Sequence, residues 1–206
     1  MQAAAVLVLS FAAGSIPFSY IAARRARGVD LRRVGTGTVS GSSLYRVAGF
    51  GPLAAAGVLE VAKGAVGPAL ATIAGRPALA AVAAGVAVVG HNWSPFLRGA
   101  GGRGISPALG ALLVVAWPGA VLLLAGMILG KAFGETAVGA LVAEILLTPV
   151  LATTHGAVGA LAGAMIVVPM VVKRVAGNAV PAPPRRHAYL TRLLFDRDQR
   201  VATEAS

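Results

Sequence analysis

The chain has 206 residues, 57% of them hydrophobic and only 12% charged, with a mean hydropathy of +0.79. A water-soluble domain carries roughly 25% charged residues, so about half the expected charge is absent, and a soluble fold is excluded by the long uncharged runs 1–23, 77–97 and 105–130. With no cysteine, disulfides and thiol chemistry are excluded as well, while the net charge of +11 lies beside apolar runs, where anionic headgroups and phosphorylated substrates are nearer partners than nucleic acid.

Runs of this kind predict an all-α integral membrane protein. A bilayer core of about 30 Å needs roughly 20 apolar residues per helix, and a backbone in lipid must satisfy its own hydrogen bonds. Transmembrane β-strands alternate polar and apolar residues, and these runs do not. The first span is 1–23; it lacks a basic leading region and its cations follow it, so it is expected to be retained and not cleaved as a signal peptide. A basic loop, 24–46, carries Arg24, Arg25, Arg27, Arg32, Arg33 and Arg46 against the single acid Asp30. A second apolar stretch, 47–74, contains Glu60 and Lys63, and a link at Gly75 and Arg76 leads to a third span ending near Leu97. The Gly/Arg loop 98–104 follows, then apolar sequence to Gly130, a polar link with Lys131 and Glu135, and apolar sequence to Val172. Residues 1–180 read as one transmembrane helical domain. Residues 181–206 read as a Pro-rich (Pro181, Pro183, Pro184), then amphipathic and basic cytoplasmic tail, in which 189–195 forms an interfacial helix with Arg192 meeting headgroups.

The positive-inside rule places the loops 24–46 and 98–104 and the tail in the cytoplasm, the links near Arg76 and Lys131 outside, and the N-terminus outside. That arrangement needs an odd number of spans. Plain hydropathy gives six; splitting the 105–130 run at Trp117 and Pro118, where proline breaks a helix, gives about seven.

Two loops carry the chemistry. Gly35 to Ser43 alternates glycines with hydroxyls at Thr36, Thr38, Ser40, Ser42 and Ser43, and Arg46 follows; Gly99, Gly101, Gly102 and Gly104 surround Arg103. Glycines let successive N–H groups converge, hydroxyls add donors, and arginine forks match phosphate oxygens. Such loops equally serve as plain connections between spans, with arginines that only set topology. Glu60 and Lys63 lie three apart on one helical face at membrane depth, as a site or as a structural ion pair. Glu144 and His155 read as structural, Glu144 through a partner on a neighbouring span.

Six blocks carry a family resemblance: Gly14-Ser-Ile-Pro-Phe18, Gly28-Val-Asp-Leu-Arg32, Val34-Gly-Thr-Gly-Thr38 through Arg46, Glu60-x-x-Lys63-Gly64, Gly90-His-Asn-Trp-Ser-Pro-Phe-Leu97 and Gly101-Gly-Arg-Gly-Ile105. In order and spacing they resemble the bacterial acyl-phosphate-dependent glycerol-3-phosphate acyltransferases, the PlsY family. The resemblance implies a multi-pass enzyme of the bacterial inner membrane, usually with seven spans and a cytoplasmic active site. It implies acyl transfer from acyl-phosphate to the 1-hydroxyl of glycerol 3-phosphate, giving lysophosphatidic acid for phospholipid synthesis. No cofactor, metal or covalent nucleophile is implied, and the partners are those two substrates and membrane lipids. Carried over position by position, the family's loop serine falls on Thr36, its asparagine on Thr38, its loop-ending arginine on Arg46 and the lysine of its Gly-Gly-Lys-Gly loop on Arg103. Its acid falls on Glu60, with Lys63 and His91 intact. Its final His-Arg-Glu-Asn falls on Val175-Ala-Gly-Asn178, which keeps Asn178; a rival placement uses Arg186-His187-Ala-Tyr189. The implied substrate contacts are Thr36, Thr38, Ser43, Arg46, Lys63, His91, Arg103 and Asn178, on the loop backbone of Gly35, Gly37, Gly101, Gly102 and Gly104. Thr for Ser, Thr for Asn and Arg for Lys depart from the family. They leave open an inactive paralogue, or a non-catalytic phosphate-ester transporter or scaffold.

Overall fold

The computed structural model describes residues 2–178 and 185–197, so the expectations on Pro181, Pro183, Pro184 and 198–206 lie outside the described residues. The regular elements are α1 (Ala3–Ser15), α2 (Phe18–Arg27), α3 (Gly41–Ala48), α4 (Phe50–Ile73), α5 (Pro77–Asn92), α6 (Ile105–Val115), α7 (Trp117–Ala132), α8 (Thr136–Ala176) and α9 (Arg185–Phe195), with 3₁₀ turns at Leu31–Arg33 and Pro95–Leu97. Among the described residues four stretches are long and apolar enough to cross a membrane: Ala3–Arg27, Phe50–Ile73, Pro77–Leu97 and Thr136–Ala176; α6 and α7 are shorter apolar helices.

Where the helices break follows from local chemistry. Ile16 stands before Pro17, whose ring disfavours the helical region for its predecessor, and Ile16 is extended (φ −65°, ψ 119°), which separates α1 from α2. Ala116 (φ −167°, ψ 79°) separates α6 from α7, with Pro118 tolerated in the first turn of α7, so the 105–130 run divides where expected. The 41 residues of α8 would measure about 60 Å if straight, twice a bilayer core. They are two helices, divided at Gly156, whose φ of 60° and ψ of −146° belong to a region that only glycine occupies readily. Beyond Gly156 the chain folds back on itself: Gly159 lies against the Leu151 carbonyl and Gly163 against Thr148.

Helix α5 is the centre of the bundle. Its Ala80, Ala81, Ala83, Ala84, Gly85, Ala87 and Val88 are buried, and these small side chains let neighbours approach closely. Gly14 of α1 rests on the Ala87 backbone, and the Ser10 hydroxyl donates to the Ala83 carbonyl at 2.7 Å. A core of Val88, Leu112, Leu123, Leu147, Leu151, Ile166 and Met170 joins α5, α6, α7 and both halves of α8. Val8, Ile73, Trp117, Ile128, Ile145 and Val168 are exposed, as a lipid-facing surface requires.

One end of the bundle gathers the loops. There Arg174 donates to the Ala137 carbonyl at 2.9 Å and Arg197 pairs with Glu135 at 2.9 Å. The link at Lys131 therefore lies at the same end as the post-α8 segment, not opposite it as the charge rule predicted. Dividing the 105–130 run adds a turn at Ala116, which reverses the side on which the later links emerge. Arg192 is a second correction: it is 1% exposed, and instead of meeting headgroups it donates to the carbonyls of Val175 (3.3 Å) and Ala176 (2.8 Å), docking α9 on the bundle. Glu144 does find its partner on the neighbouring helix, an ion pair with Arg174 at 3.8 Å.

Candidate functional site

The floor of the site grows from the break at Pro17. Ending α1 leaves carbonyls, and starting α2 leaves N–H groups, without partners along the helix; in an apolar bundle each needs another. Glu60 accepts from the Ser19 N–H at 2.9 Å, and the Lys63 ammonium donates to the Ile16 carbonyl at 2.5 Å. Lys63 and Glu60 ion-pair at 2.6 Å, each side chain 3% exposed, and His91 Nδ1 approaches the same carboxylate at 3.2 Å. The two ionisable residues on α4 thus stitch the bent first span to α4 and α5. Lys63 and His91 line a small recess together with Ser15, Val39, Ser94, Gly101 and Gly102.

Above that floor the two glycine loops meet. The Val39 N–H donates to the Gly101 carbonyl at 3.1 Å. Asn178, just past α8, joins them further: its Nδ2 donates to the carbonyls of Gly37 (3.0 Å) and Gly101 (2.9 Å), and its Oδ1 accepts from the Gly101 N–H at 3.2 Å. Its amide, expected among the phosphate contacts, is engaged with backbone and sets the spacing of the loops. Gly102 admits no larger residue, because a Cβ there would fall on the His91 ring and the Val39 carbonyl.

The first loop carries a run of hydroxyls, of which Thr38 and Ser43 are buried and Ser42 is exposed. Thr36 Oγ1 donates to Thr38 Oγ1 at 2.9 Å. Ser40 caps α3 by accepting from the Ser43 N–H at 3.3 Å, and exposed Arg46 donates to Ser43 Oγ at 3.4 Å. The start of the loop is fixed by Asp30, which accepts from the Arg32 backbone N–H at 2.9 Å and from the Nε and NH2 of its guanidinium side edge at 3.0 and 2.7 Å. The hydrogen-bonded Arg32 side chain holds the Asp30 carboxyl below the ordinary carboxylate range.

On the far side of the glycine loops, Arg103 is buried and turned toward the C-terminal segment. Its Nε donates to Asp196 at 2.6 Å and its NH1 to the Lys173 carbonyl at 3.0 Å. Lys173, also buried, lies 5.2 Å from the Trp93 ring centroid and donates to the Gly99 carbonyl at 3.3 Å. Thr36, Thr38, Ser43 and Arg46 therefore form one group, Lys63 and His91 a second, and Arg103 a third, all around the Gly37–Gly101 junction. Sequence reasoning missed Asp196 and Lys173. Lys173 had a signal, as a cation ending a span; Asp196 had none, being remote in sequence from the arginine it meets. An open apolar groove of about 560 Å³ runs between α4 and α6, lined by Gly57, Val58, Val61, Leu113 and Val114 among others. It lies at the depth of Glu60 and Lys63.

A helical membrane bundle whose glycine-rich turns converge at one end is the class of protein that fold and site define. The family model for glycerol-3-phosphate acyltransferase matches residues 4–179, and the chain belongs to that family. Glycerol-3-phosphate acyltransferase 2 of Moorella thermoacetica is 42% identical over 111 residues, which is 53% of this chain and 57% of that protein. Glycerol-3-phosphate acyltransferase 5 of Dehalococcoides mccartyi is 34% identical over 153 residues, 74% of this chain and 66% of that one. The chain spans somewhat over half the length of the first curated relatives it matches. The crystal structure of PlsY (YgiH), an integral membrane glycerol 3-phosphate acyltransferase, in its glycerol 3-phosphate form, superposes with a TM-score of 0.78 at 22% identity, covering 98% of this chain and 96% of that one. The lysophosphatidic acid form gives 0.74 at 19% identity, covering 96% and 94%. At these identities the likeness is one of fold.

Proposed function

We propose that this protein transfers a fatty acyl group from acyl-phosphate to the 1-hydroxyl of glycerol 3-phosphate, yielding lysophosphatidic acid, and that it does so at the cytoplasmic face of a bacterial inner membrane. The observation that carries the reading is the union of the two glycine loops through Asn178 and the Val39–Gly101 bond, in a chain of this family. In the transfer, the acceptor oxygen forms a bond to the acyl carbonyl carbon, the carbon–oxygen bond to phosphate breaks, and the hydroxyl proton leaves with the phosphate or to water. Phosphate is already a good leaving group, so the protein contributes position and charge compensation. Thr36, Thr38, Ser43 and Arg46 hold phosphate oxygens in this reading, Lys63 and His91 line the reacting end, and the groove between α4 and α6 takes the acyl tail. Asn178 keeps the loops in register.

Seven spans follow from counting α1 with α2, then α4, α5, α6, α7 and the two halves of α8. The N-terminus is then outside and the C-terminus cytoplasmic. The membrane orientation is supported by exposed Arg24, Arg25, Arg27, Arg33, Arg46 and Arg98 at the site end, against Arg76 alone at the other among the described residues. Purified protein in detergent is expected to move the acyl group of palmitoyl-phosphate onto labelled glycerol 3-phosphate. Absence of transfer from any acyl-phosphate by folded protein overturns the assignment.

A further inference from the structure

The seat of Arg103 is occupied by the protein's own carboxylate. A guanidinium clasps an oxyanion through two parallel N–H donors, along its side edge, which includes Nε, or its end edge, which includes NH1. On Arg103 the side edge holds Asp196 at 2.6 Å and the end edge holds the Lys173 carbonyl at 3.0 Å. The carbonyl is fixed, because it also accepts from the Gly177 N–H at 2.9 Å in the last turn of α8. The carboxylate is the exchangeable partner: its side chain is 25% exposed, against 6% for Arg103.

How Asp196 arrives there is also unusual. It follows α9, accepting the left-handed φ of 49° that a helix C-terminus normally assigns to glycine, and its N–H donates to the Arg192 carbonyl at 3.0 Å. Helix α9 is held to the bundle by Arg192 on the Val175 and Ala176 carbonyls, by Arg174 on the Leu193 carbonyl at 3.2 Å, and by Arg197 on Glu135. The helix therefore delivers a carboxylate to the glycine-loop arginine from 93 positions away in the chain.

We propose that Asp196 occupies the oxyanion seat of the second glycine loop, so that α9 is a strap whose carboxylate must leave Arg103 before a phosphate group is clasped there. The incoming anion's identity rests on the acyltransferase reading; the competition itself does not. It is tested on the full chain in detergent by titrating inorganic phosphate against the thermal unfolding midpoint, with chloride at matched ionic strength as control. Asp196→Asn removes the charge and keeps the shape. Asp196→Gly removes the carboxylate while suiting the left-handed backbone, so it serves where the first variant folds poorly. Both are expected to tighten the apparent phosphate constant about five-fold, with Asp196→Glu returning toward the parent. In acyl transfer the KM for one of the two phosphate-bearing substrates falls by a similar factor, with kcat within two-fold. Unchanged or weaker phosphate binding in folded Asp196→Asn and Asp196→Gly overturns the proposal. Tighter phosphate binding without acyl transfer in any variant overturns the activity and leaves the strap standing, whereas transfer with unaltered phosphate binding does the reverse.

Discussion

An asparagine amide offers two donor hydrogens and an acceptor oxygen, and at Asn178 these meet backbone groups of two loops. The isosteric aspartate cannot do this, since it would present two acceptors to the Gly37 and Gly101 carbonyls. Asn178→Ala is expected to cost about 1–3 kcal/mol of stability by leaving the Gly37 carbonyl and the Gly101 N–H unmatched. It should reduce acyl transfer about 10- to 100-fold, because the loops lose register at the reacting end. Asn178→Asp is expected to be no better. Transfer within two-fold of the parent, with an unmoved thermal midpoint, would show that the loops hold together without it. Asn178 itself was reached from the sequence only through the family resemblance, at the place of the final His-Arg-Glu-Asn block; its role was not. Residue type announces which bonds an amide can form, not whether backbone or ligand receives them.

At the level of elements, the bend of the first span explains why a carboxylate and an ammonium sit inside α4. The Ser19 N–H and the Ile16 carbonyl flank Pro17, and Glu60 and Lys63 supply their partners. Removing one member leaves the other charged, buried and uncompensated. Glu60→Gln or Lys63→Met alone is therefore expected to destabilise by about 3–5 kcal/mol. The double variant should fall well short of the sum, as coupled residues do. Thermal midpoints of the four proteins check this, and strictly additive losses would dissolve the stitch. The sequence showed the pair on one helical face but left its purpose open between site and strut. In the structure both residues brace the bent span and both line the recess. The division of the 105–130 run was readable from Pro118 because proline is a local signal. The docking of α9 was not, because Arg192 and Asp196 find their partners only after the whole bundle has assembled.

For the whole molecule, the loop-bearing end carries almost all the exposed arginines, so the proposed orientation is a statement about which end faces the cytosol. The chain contains no cysteine, so an introduced thiol is unique. Ala26→Cys, exposed at the loop end, is expected to react with a membrane-impermeant maleimide only after the cells are opened. Ala74→Cys, exposed at the other end, should react in intact cells. The opposite pattern would invert the protein in its membrane. Overall architecture was legible from uncharged runs alone, since lipid leaves a backbone few choices; the side on which Lys131 emerges was not, because one extra turn moves it.

The glycine contacts within the bundle have a consequence for anyone screening variants. Where Gly126 abuts Gly139, or Gly14 the Ala87 backbone, even a methyl group has nowhere to go. Replacements there are expected to abolish the proposed activity as thoroughly as replacements among the arginines, yet from a distance, by prising helices apart. Loss of turnover in such a screen maps tightness of assembly and chemistry onto one score, and only a companion measurement of folding separates them.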